Sequence, residues 1–126
     1  MDRATLADLV VRFTEAFNQN DLEGVLALMT EDAVYEEFTG TISRGKPAIR
    51  AAFEPQFRGD FGKMRFETED LFVDATTGKA LIRWVCRLQT KRGPAGWRGL
   101  DILQVEHGLV KHKLTYAKAK VPLLDA

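Results

Sequence analysis

The fold is decided by residues 79–118, which read KALIRWVCRLQTKRGPAGWRGLDILQVEHGLVKHKLTYAK. Apolar and polar side chains alternate through much of this stretch, and a period of two is typical of β-strands. Two groups of turn-forming residues interrupt it, Arg92-Gly93-Pro94 and Glu106-His107-Gly108. Short turns between long strands predict antiparallel hairpins. We therefore predict three strands, over Lys79–Lys91, Ala95–Glu106 and Leu109–Lys118.

The residues before this stretch add one strand and a helical N-terminal third. The period of two begins near Lys63 and predicts a strand over Met64–Asp74, closed by the turn Thr76-Thr77-Gly78. Further upstream, apolar residues recur every three or four positions, which predicts amphipathic helices. The first helix stops at Asn18-Gln19-Asn20, and Asp21 is placed to cap the second.

A strand and a third helix complete the order of elements. Val, Tyr and Phe residues predict a strand over Asp32–Phe38, and Gly40 and Gly45 mark a loop after it. Pro47 suits the first turn of a helix, whereas Pro55 should end or kink that helix. The order helix–helix–strand–helix and four strands predicts a single α+β domain over residues 1–126, with helices covering one face of a curved sheet.

The strand that begins at Lys79 has two different faces. One face is strongly apolar and carries Ala80, Ile82, Trp84, Cys86 and Leu88. The other is mixed and carries Leu81, Arg83, Val85 and Arg87. An antiparallel sheet can leave one face to solvent, but apolar residues between arginines suit a partly apolar interface. We expect this mixed face to pack against a second copy in a homodimer.

Length and charge bound the function. The chain has 126 residues, with 18 Lys and Arg against 18 Asp and Glu, so it carries no net charge. One domain of this length can bury a core without metal or disulfide support. The charge balance argues against nucleic-acid binding, which requires an excess of basic residues. Cys86 is the single cysteine and cannot form an internal disulfide.

The first 30 residues predict neither a signal peptide nor a membrane helix. They contain five acidic side chains and no continuous apolar segment. We therefore expect a cytoplasmic protein without membrane contact. The two histidines, His107 and His112, are five residues apart with no carboxylate at ligand spacing, which makes a poor metal site.

Three segments resemble the NTF2-like superfamily. They are NQNDLEGVLALMTEDAVYEEFTG from Asn18, SRGKPAIRAAF from Ser43 and GLDILQVEHGLVKHKLTYAK from Gly99. The resemblance spans about residues 5–118 and points to the ketosteroid isomerase-like and SnoaL-like, polyketide cyclase-like members. It implies a cone in which a curved antiparallel sheet, wrapped by three N-terminal helices, encloses a pocket. It does not specify function, because the superfamily includes isomerases, cyclases, epoxide hydrolases, dehydratases and binding proteins.

The resemblance implies two catalytic carboxylates. Glu37 matches the isomerase base by its spacing from Asp32-Ala33, although successive strand residues face opposite ways and only one of Glu36 and Glu37 can enter the pocket. Asp101 matches the acid that the isomerases keep protonated as a hydrogen-bond donor. Its apolar neighbours would raise its pKa. Asp101 could equally be a structural carboxylate paired with an arginine or a backbone amide.

The implied pocket is apolar and differs from the isomerases at one position. Phe13 matches the tyrosine that supplies their second donor, and a phenyl ring has no hydroxyl; Tyr35 or Tyr116 could supply one from another wall. We expect Gly99 to leave space for a ligand. The expected pocket residues are Phe13, Phe17, Tyr35, Phe53, Trp84, Trp97, Gly99 and Leu103.

Together these features predict an enzyme that performs acid–base chemistry on a small apolar or carbonyl-containing molecule without a cofactor or metal. The reaction would be proton abstraction next to a carbonyl, with isomerisation or cyclisation as the outcome. Glu37 would be the base, and Asp101 the proton donor or electrostatic partner. Hydrolysis by a water that the same carboxylates activate is a related option. The alternative from another class is a non-catalytic binding or assembly module.

Overall fold

A six-stranded sheet and three helices make up the part of the chain that the computed structural model describes, residues 1–118. The helices are α1 (Arg3–Asn18), α2 (Leu22–Ala27) and α3 (Lys46–Arg58). The strands are β1 (Met29–Glu36), β2 (Ile42–Arg44), β3 (Lys63–Asp74), β4 (Lys79–Thr90), β5 (Gly93–Glu106) and β6 (Leu109–Ala117). This is the α+β, NTF2-like cone that the sequence predicts, with a curved sheet that does not close.

The strand order across the sheet is β2-β1-β6-β5-β4-β3. The four C-terminal strands are joined by successive antiparallel pairings, as the alternating pattern predicts. β1 joins β6 in parallel, so the sheet is mixed at this one pairing. β1 thereby lies beside the C-terminal half of β6, which brings residues 35–37 close to residues 113–115.

The core lies between the apolar face of β4 and the first helix. The five alternating residues from Ala80 to Leu88 are all buried, whereas Arg83 and Arg87 between them are exposed. The buried side chains of α1 that belong to the same core are Leu6, Leu9, Val10, Phe13 and Ala16. Removing this apolar surface from water is the main favourable contribution to folding.

The start of α2 follows the predicted capping chemistry. The Asp21 carboxylate accepts a 2.9 Å hydrogen bond from the Gly24 amide, as expected for the N-cap of α2. Asp2 caps α1 in the same way by accepting from Thr5. α1 ends at Asn18, and Asn20 then adopts a left-handed conformation with φ 55°. This sharp turn directs α2 back towards the sheet.

Pro55 does not end α3, although the sequence predicts an end or a kink of the helix at this residue. The helix continues to Arg58 and is stopped by Gly59 in a left-handed conformation, φ 88°. A proline in a helix removes the hydrogen bond to the carbonyl four residues earlier, here that of Ala51. Ala51 is exposed, so water can satisfy that carbonyl, while the buried Phe53 holds the helix against the core.

Two further boundaries differ from the prediction. β2 lies between Gly40 and Gly45, where the sequence predicts a loop. Its three residues are too few to show a period of two, so the pattern could not reveal the strand. The turn after β4 consists of residues 91–92 alone, and Pro94 lies within β5 opposite Gln89. Proline is tolerated there because β6 pairs with β5 only from Gly99 onward, so no strand on that side needs its N–H.

One β-bulge determines which residues of β6 face the helices. Gln104 pairs with His112, but Val105 pairs with Val110, so β6 carries an extra residue at Lys111. An extra residue reverses the inside–outside alternation of the strand beyond it. Val110 and Lys113 are consequently both buried, whereas Tyr116 is 55% exposed.

None of the helices within residues 1–118 has the length and apolar character needed to cross a membrane.

Candidate active site

A cavity of about 380 Å³ lies on the helix-covered side of the sheet. Small-molecule sites occupy about 300–1,000 Å³, so its size suits a compact ligand. Aromatic residues form a large part of the wall, among them Phe13, Phe17, Tyr35, Phe53, Phe66, Trp84 and Trp97. The ionisable lining residues besides Tyr35 are Glu37, Asp101 and Lys113, and Thr115 lies beside them.

The aromatic wall is closely packed. Phe17 makes edge-to-face contacts with Phe13 and Phe53, each at a centroid separation of 5.3 Å. Phe66 packs edge-on against Trp84 at 5.1 Å. Such pairs contribute about 0.5–1.5 kcal/mol beyond the area that they bury. The cavity therefore has pre-formed apolar walls.

Six of the eight expected pocket residues line this cavity, and two do not. Leu103 is fully buried in the core. Gly99 packs against Trp84: a Cβ atom at Gly99 would lie 2.5 Å from the Trp84 ring and 2.5 Å from the Tyr116 carbonyl oxygen. The absence of a side chain at Gly99 therefore makes room for Trp84, and not for a ligand as we expected.

Three hydrogen-bond donors surround the Asp101 carboxylate. Oδ1 accepts from Lys113 Nζ at 3.0 Å and from Thr115 Oγ1 at 2.6 Å. Oδ2 accepts from the indole Nε1 of Trp84 at 3.0 Å. Asp101 is 8% exposed, so this set of donors replaces the water that a buried carboxylate loses.

This arrangement does not fit the expectation that Asp101 stays protonated as a neutral donor. Both oxygens act as acceptors, and one of the partners is an ammonium group. Asp101 is paired with a cation, as the alternative proposed, but the cation is Lys113 and not an arginine.

Lys113 is a buried cation, 6% exposed, at the base of the cavity. Desolvation opposes its charge, but Asp101 and the other negative or acceptor groups near it outweigh that effect and raise the pKa of Lys113 above its ordinary value. Its Nζ lies 4.7 Å from the centroid of the Tyr35 ring, a cation–π distance. The amine therefore stays protonated at neutral pH.

Glu37 follows β1 directly and lines the cavity, whereas Glu36 does not. The backbone fixes this position: the Glu37 amide donates to the Thr41 carbonyl, and its carbonyl accepts from the Gly40 amide at 2.8 Å. Neighbouring residues of an extended segment face opposite ways, which explains why only one of the two carboxylates reaches the cavity.

The tyrosines occupy different environments. Tyr35 lines the cavity, and burial raises the pKa of its hydroxyl although the charge of Lys113 opposes the shift. Its proton is therefore retained at neutral pH. Tyr116 is exposed on the outer side of β6, because the bulge at Lys111 turns it away.

A family assignment follows from residues 10–113, which match the SnoaL-like domain. The chain belongs to the SnoaL-like domain family. The match includes the second half of α1, all of α2, α3 and β1, and every charged residue that lines the cavity. A comparison with curated proteins finds no significant match.

Solved structures agree with the fold of this SnoaL-like domain. An NTF2-like protein of unknown function from Mesorhizobium loti is 24% identical, with a TM-score of 0.77 over 94% of this chain and 96% of that one. A putative polyketide cyclase from Xanthomonas campestris pv. campestris is 20% identical, with a TM-score of 0.77 over 92% of both chains. SalBIII, an epoxide hydrolase/cyclase-like enzyme with a role in pyran ring formation in the polyether salinomycin, is 14% identical. Its TM-score is 0.82 over 93% of both chains. Likeness at these identities establishes the NTF2-like fold.

Sequence reasoning missed Lys113 and Thr115 in this SnoaL-like domain. The pattern of β6 places His112, Leu114 and Tyr116 on one face and gives no sign of the bulge that turns Lys113 inward. One signal was available: a buried Asp101 required a nearby cation, and β6 is the neighbouring strand. Within residues 1–118, His, Cys, Asp and Glu side chains form no group of three that could hold a metal ion.

Proposed function

We propose that this SnoaL-like protein is an enzyme that abstracts a proton next to a carbonyl group without a cofactor, leading to isomerisation or cyclisation. One observation carries the proposal: a single apolar cavity contains the Glu37 carboxylate and the Asp101–Lys113 ion pair. Charges in an apolar, water-poor site interact more strongly than they do in water, as proton transfer from carbon requires.

Glu37 is the base in this proposal. Its carboxylate takes a proton from the carbon beside the carbonyl, the electrons of the C–H bond form a C=C bond, and the carbonyl π electrons move to oxygen. Glu37 then returns the proton to a different carbon, which gives an isomer. Alternatively, the enolate carbon attacks a second carbonyl carbon of the same molecule, which closes a ring. The π electrons of that second carbonyl move to its oxygen, which takes the proton from Glu37, and the first carbonyl re-forms. A positioned base of this kind contributes typically about 10²–10⁴-fold in rate.

Asp101 is the electrostatic partner and does not itself donate a proton to the substrate. Its hydrogen bonds to Trp84, Thr115 and Lys113 fix a charged pair in the wall opposite the helices. The pair has no net charge, and its hydrogen bonds replace part of the water that the two groups lose on burial. Fixed dipoles and charges of this kind stabilise charge that develops during a reaction.

The comparisons support an enzyme of this general kind. Among structures with the same fold, one protein is a putative polyketide cyclase and SalBIII is epoxide hydrolase/cyclase-like. Activation of a water by Glu37 would give hydrolysis from the same groups. The alternative is a binding module, for which the aromatic walls alone would suffice.

Solvent deuterium exchange tests the proposal. A panel of small cyclic and aryl ketones is incubated with the protein in D₂O, and ¹H NMR follows loss of the protons next to the carbonyl. We expect the protein to exchange these protons faster than buffer alone does, and faster than an equal concentration of an unrelated protein does. Ketones that raise the melting temperature without any exchange would contradict the enzyme proposal and favour the binding module.

A further inference from the structure

We infer that Lys113 is a second catalytic residue: its ammonium group donates a hydrogen bond to the carbonyl oxygen of the substrate, and that substrate is a neutral, planar, conjugated ketone or related carbonyl compound. The inference rests on the proposed function, because it names the oxygen-binding group and the substrate class of the same cavity. Four observations carry it.

The first observation is the number of donors on Lys113. An ammonium group has three N–H donors. Two have acceptors, Oδ1 of Asp101 at 3.0 Å and Oγ1 of Thr115 at 2.7 Å. Within residues 1–118 the third has no hydrogen-bond acceptor, and the group lies over the face of Tyr35. A substrate oxygen is the partner that would complete the set.

The second observation is that Lys113 is held as a charged donor. Asp101 and Thr115 fix the ammonium group from one side, and the β-bulge at Lys111 keeps the side chain turned inward. A neutral amine would suit nucleophilic attack on the carbonyl, but an ion-paired ammonium has no free lone pair. The chemistry available to Lys113 is therefore stabilisation of a negative oxygen.

The third observation concerns the charge of the cavity. Glu37 and Asp101 contribute two negative charges and Lys113 one positive charge. A carboxylate ligand would add a second excess negative charge to an apolar site, which is unfavourable. A neutral ketone adds none. Proton abstraction then moves one negative charge from Glu37 to the ketone oxygen beside Lys113, so the net charge of the cavity stays constant.

The fourth observation is the shape of the wall. Aromatic rings surround the ammonium group, with Phe17 and Phe53 at 5.6 and 5.9 Å from Nζ in addition to Tyr35. Two more rings, Phe38 and Phe61, line the cavity while remaining about half exposed, so apolar surface continues to the opening. Flat conjugated molecules pack best against such rings. Conjugation also spreads the charge of the enolate.

Three probes of nearly equal shape test this inference. They are 2-acetylnaphthalene, a neutral ketone; 2-isopropenylnaphthalene, in which a CH₂ group replaces the oxygen; and 2-naphthoate, the carboxylate. Dissociation constants are measured at pH 7 by quenching of tryptophan fluorescence, for the wild-type protein, K113R and D101N/K113M. The double variant removes both charges together, so that no buried charge is left unpaired. A single cooperative thermal transition verifies that each variant is folded.

In the wild-type protein the ketone should bind more tightly than the carboxylate. The ketone preference is the dissociation constant of the alkene divided by that of the ketone. This ratio should fall by about tenfold in D101N/K113M, equivalent to about 1.4 kcal/mol. It should fall less in K113R, and alkene binding should be similar in all three proteins. An unchanged ratio in the folded double variant would overturn the inference. Tighter binding of the carboxylate to the wild-type protein would overturn it independently, even if the variant did not fold.

These affinities do not depend on turnover, which separates the inference from the proposed function. Exchange of the methyl protons of 2-acetylnaphthalene with D₂O reports on the base. Loss of the ketone preference in the double variant, without exchange in the wild-type protein, would support the oxygen site and count against proton abstraction. Exchange together with an unchanged preference would support proton abstraction and reject Lys113 as the oxygen donor.

Discussion

Lys113 Nζ lies 3.0 Å from Asp101 Oδ1 across the neighbouring strands β6 and β5, and the two side chains are only 8% and 12% exposed. Every other ion pair within residues 1–118 has at least one side chain that is 46% exposed or more. Surface pairs contribute little, whereas a buried pair depends strongly on both partners. We therefore expect the stability of the protein to depend far more on the Asp101–Lys113 pair than on any of the surface pairs.

Substitution of one partner alone should destabilise the protein more than substitution of both. K113M leaves the Asp101 carboxylate buried without its cation, and we expect a loss of about 3–5 kcal/mol in the free energy of unfolding. D101N/K113M should lose clearly less. Urea unfolding of both variants, followed by far-UV circular dichroism, measures this difference.

The exposed pair Arg87–Glu67 on the outer face of the sheet provides the control. Its side chains are 62% and 44% exposed, so E67Q should cost about 1 kcal/mol or less. Equal losses for K113M and D101N/K113M would show that the two charges are not coupled, and the described pair would then have no energetic role.

Cys86 should make stability fall at alkaline pH. Burial raises the pKa of its thiol from 9.0 to about 11. Between these values the unfolded chain loses the thiol proton while the folded protein keeps it, so the unfolded state binds fewer protons and the free energy of unfolding falls as pH rises. The fall from this group approaches about 1.4 kcal/mol per pH unit.

C86A isolates this contribution, since alanine does not ionise. Near pH 8 the wild-type protein should be more stable than C86A, because the substitution removes buried volume. That advantage should shrink steadily from pH 9 to pH 11 in urea titrations at fixed pH. A constant difference across this range would mean that the thiol ionises equally in both states.

We expect the outer face of the sheet to form a homodimer. One row of apolar residues crosses four strands there through direct pairings: Phe72 with Leu81, Leu81 with Ile102, and Ile102 with Leu114. Phe72 is 63% exposed. Light scattering should give about twice the chain mass of 14.2 kDa, and I102E should give the monomer because it introduces a charge at the centre of the row.

V11E is the matched control for the dimer. Val11 is an apolar residue, 53% exposed, on the helical side of the molecule. A charge at this position should leave the dimer intact. A monomeric wild-type protein at micromolar concentration, or dissociation by V11E and not by I102E, would reject the proposed interface.

The elements of the fold could be predicted because local patterns determine them. Ala80, Ile82 and Trp84 lie on one face because successive residues of a strand point to opposite sides. The Asp21 N-cap depends only on the backbone of the next three residues. β2 and the continuation of α3 beyond Pro55 depend on tertiary packing, which no local pattern reports.

The candidate site could be predicted only in part. Glu37, Asp101 and six of the expected wall residues follow from strand parity and from the family resemblance. Lys113 does not, because one extra residue at Lys111 reverses the parity of the strand after it. The role of Asp101 changes with it: an aspartate in an apolar stripe suggests a neutral acid until a neighbouring strand supplies a cation.

The most direct test of the central claim compares E37Q with E36Q. The two glutamates are adjacent, but only Glu37 lines the cavity, so E36Q controls for charge and for local structure. The measurement is the rate at which wild-type protein and each variant exchange the protons beside the carbonyl of 2-acetylnaphthalene in D₂O. Removal of the base should lower the rate by about 10²–10⁴-fold in E37Q, and E36Q should retain nearly the wild-type rate. Equal rates for the two variants would contradict the assignment of Glu37 as the base.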